Sequence, residues 1–223
     1  MKLTVSIFPT LCLAMLLAVS LNSCETDAYE KGTGQYSLMT TDMADVAVNS
    51  SKMATEMLTD DDSRMAFCRP YYSSWITTAD TIYRSVVYYN KVSEGTAEAI
   101  SITPVPTLSI RHHSLFQRFP QDPVDVESMW LSGNRKYLNA ALMFKTAQAD
   151  NSSAVHQLAV VQDTLLTADG KHTAVCRLIH DQGGIPQYFT ARQFVSIVLP
   201  TDADSLSISV ETFKGTVVRK FAL

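Results

Sequence analysis

The chain has 223 residues, of which 46% are apolar and 18% charged. That balance excludes a disordered tail, which lacks apolar residues to bury, and a polytopic membrane protein, which would carry far more of them. The formal charge is −4 and becomes −5 when the leader bearing Lys2 is removed, so no nucleic-acid partner is expected: a phosphate backbone needs clustered Lys and Arg.

The leader comes first. Met1-Lys2 is a short basic start, and Leu3 to Val19 is mostly apolar but interrupted by Thr4, Ser6, Pro9 and Thr10. Polar chain follows at once, so this is a signal h-region and not a permanent span. Leu21-Asn22-Ser23-Cys24 resembles the lipobox of bacterial lipoproteins, with Asn22 departing from the usual small residue. The resemblance implies that residues 1–23 are a signal peptide cut before Cys24, and that Cys24 carries a diacylglyceryl group and an acylated amine. The implied partner is a membrane, held through lipid such as palmitate on Cys24. The implied place is the outer membrane, on the cell surface or the periplasmic face. Residues 24–35 form an acidic tether with Glu25, Asp27 and Glu30. These acids read either as solvating charge or as an export tag for the surface.

Residues 36–110 are dominated by strand signals, clearest in Thr81 to Tyr89, which is rich in β-branched and aromatic side chains. The best helical stretch is Ser50 to Leu58, and it is short. Cys68, in Met65-Ala66-Phe67-Cys68, reads as a small buried hydrophobe. No glycine stands between Gly34 and Gly95, and Asp60-Asp61-Asp62 occupies a place where a glycine-bearing turn is expected. Tyr71, Tyr72 and Trp75 cluster in polar surroundings. They read as rings closing an apolar core or as a stacking platform for sugars, and they are the candidate ligand-binding residues.

Polar residues with Pro120 and Pro123 mark a break, and 111–121 is assigned as a linker. Over 122–223 strands are expected at Tyr137 to Phe144, Val155 to Val161, Thr173 to Ile179, Phe189 to Leu199 and Ser205 to Glu211. Turn chemistry falls between them, at 132–134, 168–170, 181–184 and 201–204. Spacing of this kind predicts an all-β chain, a sandwich or a barrel. Trp130 is assigned to the core as a large filler between sheets, and Cys176 as a second buried thiol, unpaired with Cys68.

Several stretches together resemble the NigD-like lipoproteins: Asp122 to Trp130, Tyr137 to Leu142, Val155 to Leu158 and Leu178 to Gly184. Ile82-Tyr83-Arg84 and Tyr88 to Val92 fit the same family. The resemblance implies an OB-like β-barrel at 36–110 followed by a β-sandwich at 122–223. It supplies neither a reaction nor a ligand.

The motifs of chemistry are missing from the sequence. There is no Gly-x-Ser-x-Gly, no Cys-x-x-Cys, no His-Glu-x-x-His and no glycine-rich phosphate loop. No catalytic residue, cofactor or metal is therefore expected. His180-Asp181 sits at a strand-to-turn junction, where a histidine bonding the turn backbone explains it better than a hydrolytic site. The resulting expectation is a non-enzymatic, lipid-anchored envelope protein for recognition or scaffolding. A glycan-binding surface lipoprotein and a bacteriocin-associated protein, for immunity or secretion, are the alternatives, with a glycan or an envelope protein as partner.

Overall fold

Strands that alternate buried and half-buried residues, as in Ser205–Thr212, or bury consecutive residues between barrel and sandwich, as in Tyr137–Thr146, set the architecture, which a computed structural model describes for residues 38–147 and 155–223. The signal, Cys24 and the tether lie outside the described residues. Within them the chain is all-β, with one 3-10 turn at His113–Leu115.

Five strands close the first half into a barrel: β1 (Thr40–Val48), β2 (Ala54–Thr59), β3 (Arg64–Tyr71), β4 (Thr81–Ser93) and β5 (Thr96–Pro104). The order around the barrel is β1-β2-β3-β5-β4, with β1 pairing antiparallel to both β2 and β4. β3 and β5 meet in parallel through Ala66-Phe67 and Thr96-Ala97. This is the OB-like barrel that the family resemblance implies. Val46, Met57, Phe67, Val87, Tyr89 and Ile102 fill it, each under a tenth exposed.

The stretch 50–58 is not helical. Asn49 Oδ1 accepts the amides of Ser51 and Met53 at 3.0 Å, turning the chain, and Ala54 to Leu58 then pairs with β1. Side-chain capping of this kind competes with a helix. The missing glycines are also accounted for. Lys52 (φ 59°), Asp62 (φ 59°) and Asp80 (φ 50°) take the left-handed conformation at the turns, and Asp bears it better than most residues.

The second half is one eight-stranded sheet, in the order β13-β12-β10-β9-β6-β11-β8-β7. Its strands are β6 (Thr107–His112), β7 (Asp125–Leu131), β8 (Tyr137–Thr146), β9 (Gln157–Ala168), β10 (Lys171–Asp181), β11 (Phe189–Val198), β12 (Ser205–Thr212) and β13 (Gly215–Ala222). The sheet folds over about β6, which pairs in parallel with β9 on one side and β11 on the other. Its two wings thus make a β-sandwich around Leu138, Leu142, Phe144, Val160, Ile197, Leu206 and Ile208. The wings nearly meet again at the far side, where the Val124 amide donates to Glu211 O at 2.9 Å.

The boundary expected at 111–121 moves. Residues 107–110, assigned to the barrel, pair in the second sheet, so the chain crosses at Pro104-Val105-Pro106, where proline removes two ladder donors. Segment 111–121 carries the chain from β6 to β7 within the sandwich. It is pinned there by a Gln121–His180 bridge and by Arg118 on Asp181 at 2.7 Å. Residues Met39–Leu223 form one compact unit.

The two cysteines diverge. Cys176 is buried in the sandwich as expected, and burial, aided by the Asp163 charge, pushes its thiol up to about 12. Cys68 is not buried. Met65 and Phe67 turn inward on β3, so Ala66 and Cys68 must turn outward. Both are free thiols. A thiol-reactive maleimide should therefore label native protein once, at Cys68, and label Cys176 only after denaturation. Mass spectrometry of tryptic peptides checks this, and native labelling of Cys176 would contradict the packing.

Candidate functional site

The barrel and the sandwich meet across a buried polar network instead of an apolar seam. Arg84 projects from β4, with its side chain 3% exposed. Its Nε donates to Ser196 Oγ on β11 at 3.0 Å, and Nη2 donates to Asn139 Oδ1 on β8 at 3.1 Å and to Asp60 Oδ2 at 2.8 Å. Nη1 lies 3.5 Å from Asp45 Oδ1 on β1. The guanidinium also stacks 4.2 Å over the Tyr137 ring.

Most of the remaining groups are matched, while Asp60 Oδ1 is buried without a hydrogen bond among the described residues and is answered by the charge of Arg84 Nη2 at 2.7 Å. Ser196 Oγ donates to Asn139 Oδ1 at 2.8 Å, and Asn139 Nδ2 donates to Asp60 Oδ2 at 2.7 Å. Asp45 Oδ2 accepts from Lys136 Nζ at 2.7 Å and from the Tyr137 hydroxyl at 3.3 Å. The hydrogen bond to Asp45 holds the Lys136 ammonium above its usual range. Two cations thus face two carboxylates; Arg84, Asp45 and Asp60 are desolvated, while Lys136 reaches in from the surface. A buried charge unpaired by even one partner would cost several kcal/mol, roughly.

Backbone closes the same seam. The Asn134 amide donates to Asp60 O at 2.7 Å and the Ser196 amide to Pro106 O at 2.9 Å. Gly133 is required at this approach, because a Cβ there would stand 2.7 Å from Asp61 Oδ1 and 2.9 Å from Asp60 O. Ser132 Oγ accepts from the amides of Lys136 and Tyr137, fixing the β7–β8 turn that brings Gly133 against the barrel.

Over this network lies an open groove of about 410 Å³. The barrel contributes Asp42 and Met43 from β1, the Asp60-Asp61 turn, and Tyr88 from β4. The sandwich contributes Trp130 from β7 with Arg192 and Phe194 from β11. Trp130 and Phe194 meet edge to face at 6.3 Å, and Arg192 lies 5.3 Å over the Phe194 ring while pairing with Glu127 at 3.3 Å. Asp42 accepts from the Tyr89 hydroxyl at 2.7 Å. Trp130, expected in the core, is instead 37% exposed. Met129 and Leu131 are its neighbours on the strand and pack inward, so the pleat aims the indole outward.

A second groove, of about 450 Å³, lies between Phe116, Arg118 and the ends of β9 and β10. Its two charges close on each other as the Arg118–Asp181 pair, so it offers no unmatched charge.

The sequence-derived candidates fall elsewhere. Trp75 Nε1 donates to Ile102 O at 3.2 Å and its ring meets Tyr83 edge-on at 5.2 Å. Tyr71 is half-buried against the barrel core, and Tyr72 is 68% exposed. None of the three lines the junction groove.

His180 is 2% exposed, and Nδ1 lies 3.1 Å from Asp122 O. A carbonyl only accepts, so Nδ1 carries the proton and Nε2 accepts from His156 Nδ1 at 2.9 Å. The His156 Nε2 lone pair is then buried, with no partner among the described residues. Asp181, next along the strand, points to the opposite face and takes Arg118 and the Gly183 amide. His180 thus bonds the distant Asp122 carbonyl instead of the backbone of its own turn, which the sequence had suggested, and both of its nitrogens are engaged.

Burial, followed by the His180 neighbour, lowers the pKa of His156. A folded-state pKa below the unfolded value near 6.5 means that the neutral pair supports the fold above that pH. This support is lost as pH falls through the folded value. The urea midpoint should therefore stay level above pH 7 and decline below about pH 6.5. His156→Asn, which keeps a donor towards His180 but cannot titrate, should flatten that decline; an equal slope in the variant would exclude His156 as its source.

No protein-family model and no curated protein matches the sequence. Solved structures do match. A protein of Parabacteroides distasonis described as a candidate toxin-related protein aligns over 83% of this chain and 93% of its own, with a TM-score of 0.64 and 16% identity. A NigD-like immunity protein of Bacteroides caccae aligns over 82% and 96%, with a TM-score of 0.61 and 20% identity. A Bacteroides fragilis protein described as a candidate lipoprotein aligns over 82% and 96%, at 0.56 and 10%. These alignments cover more than four fifths of the chain, and the chain has the NigD-like fold.

Proposed function

We propose that the chain is a lipid-anchored envelope protein of the outer membrane that recognises a partner without catalysing a reaction, and that the junction groove is its recognition surface. One observation carries this reading. The groove is built on strands and tight turns of both halves, and Asp60 in its wall is held by the hydrogen-bonded network buried around Arg84. Walls locked by packing and hydrogen bonds lose little entropy on binding. The lipobox-like Leu21 to Cys24 supports the anchor, and the NigD-like fold is shared with a protein described as a candidate lipoprotein. Against hydrolysis stands the position of His180, buried with both nitrogens engaged.

A second reading places glycan stacking at the barrel rim, favoured by the exposure of Tyr72 beside Tyr71 and Trp75. A bacteriocin-associated role, in immunity or secretion, is supported by the shared fold with a toxin-related and an immunity protein, and by nothing in the geometry.

Tryptophan emission separates these readings, since the mature chain holds only Trp75 and Trp130. Mature protein in detergent micelles is titrated with envelope oligosaccharides and with peptides. A response lost in Trp130→Leu supports the groove, and one lost in Trp75→Phe moves recognition to the rim. Turnover of peptide, ester or glycoside reporters that vanishes in a folded His180→Gln variant would replace recognition by hydrolysis.

A further inference from the structure

Resting on that reading of the groove, we propose that its occupant is a basic side chain, Lys or Arg, presented by a peptide segment of a protein partner. The argument is one of charge matching. Asp45 and Asp60 are answered by Arg84 and Lys136, and Glu127 is answered by Arg192. Asp42 and Asp61 are left. Both line the groove, and neither has an ion-pair partner among the described residues. Asp42 meets only the neutral Tyr89 hydroxyl, and Asp61 lies exposed beside Gly133.

The other walls carry three rings, Trp130, Tyr88 and Phe194, beside Thr41, Val86 and Leu131; Arg192 already lies over the Phe194 ring, which leaves Trp130 and Tyr88 to a further cation. Carboxylates and ring faces share one preference, because both attract a cation. A neutral sugar would use the rings and donate hydroxyls to the carboxylates, but would leave their charge unbalanced. An anionic partner would be repelled. An ammonium or guanidinium group answers the carboxylates and the rings together, and the chain's negative balance draws such a segment in. Asp42 is also held ready. Burial and the Asp42 charge raise the Tyr89 phenol well above its usual pKa, so it remains a donor at every physiological pH.

The test uses full-length mature lipoprotein in nonionic micelles. The probes are a blocked Gly-Ser-Lys-Arg-Lys-Ser-Gly peptide, its counterpart with three Glu in the centre, and a tetramer of N-acetylglucosamine. Only the basic peptide should give a saturable change in tryptophan emission, and that change should be lost in Trp130→Leu. Affinity should fall at least about tenfold in the Asp42→Asn, Asp61→Asn double variant, and fall again with added salt. No response to the basic peptide, an equal response to the acidic one, or full affinity in the double variant overturns the inference. A sugar response lost with Trp130 overturns it too while leaving the groove reading standing. A peptide response that survives Trp130→Leu overturns the groove reading itself.

Discussion

Arg84→Met is expected to cost about 3–5 kcal/mol of stability, the largest loss for any single side chain at the junction. The deletion strands Asp60 and weakens Asp45, both desolvated, and takes a donor from Asn139 and from Ser196. For a folded body of this size that corresponds to a fall in Tm of about 10 °C. Urea denaturation followed by tryptophan emission measures it. The cause is separable from simple loss of packing. Adding Asp60→Asn to Arg84→Met removes the stranded charge, so the double variant should recover part of the loss although one more native group is gone. A loss below about 1 kcal/mol in the single variant would place Arg84 among solvated surface pairs, contrary to its burial.

Cys24→Ala is expected to abolish lipid labelling and to leave the signal uncleaved. Two or three acyl chains anchor stably, and without the thiol no diacylglyceryl group is attached and cleavage before residue 24 is blocked. Labelling cells with an alkynyl palmitate analogue reads the lipid, and gel mobility reads the retained signal. Label persisting in the variant would mean that the lipid sits elsewhere, and a normally sized unlabelled product would indicate an ordinary signal cleavage.

The strand content was legible because it is written locally. Alternation in Ser205 to Glu211 and β-branched residues in β4 and β10 mark strands locally, and Asp169-Gly170 (φ 50° and 73°) makes the two-residue turn its chemistry predicts. The junction was not legible, because it depends on residues 24 to 153 positions apart meeting in space. A signal was nonetheless present. Arg84 interrupts an apolar run in β4, and Asn139 interrupts another in β8. A charge or amide inside a core strand needs a partner, and here each is the other's. Trp130 was misplaced for the opposite reason. Its size suggested the core, while the pleat, read from Met129 and Leu131, turned it outward. The domain boundary followed the prolines at 120 and 123, but the pair at 104 and 106 marks the crossing between sheets.

The position of β6 bears on how the protein is made. It is the first strand of the sandwich to leave the ribosome, yet it pairs only with β9, about fifty residues later, and with β11, about ninety residues later. The barrel, by contrast, draws on neighbours within residues 40–104. Closing long loops before any contact rewards them is slow. The barrel is thus placed to form early, while β6 waits as an unpaired strand with both edges open. During that wait an open edge is a template for a second chain. Thr107, Ser109 and Arg111 on β6 are exposed in the finished fold, and their polarity makes the waiting strand a poor seed for aggregation.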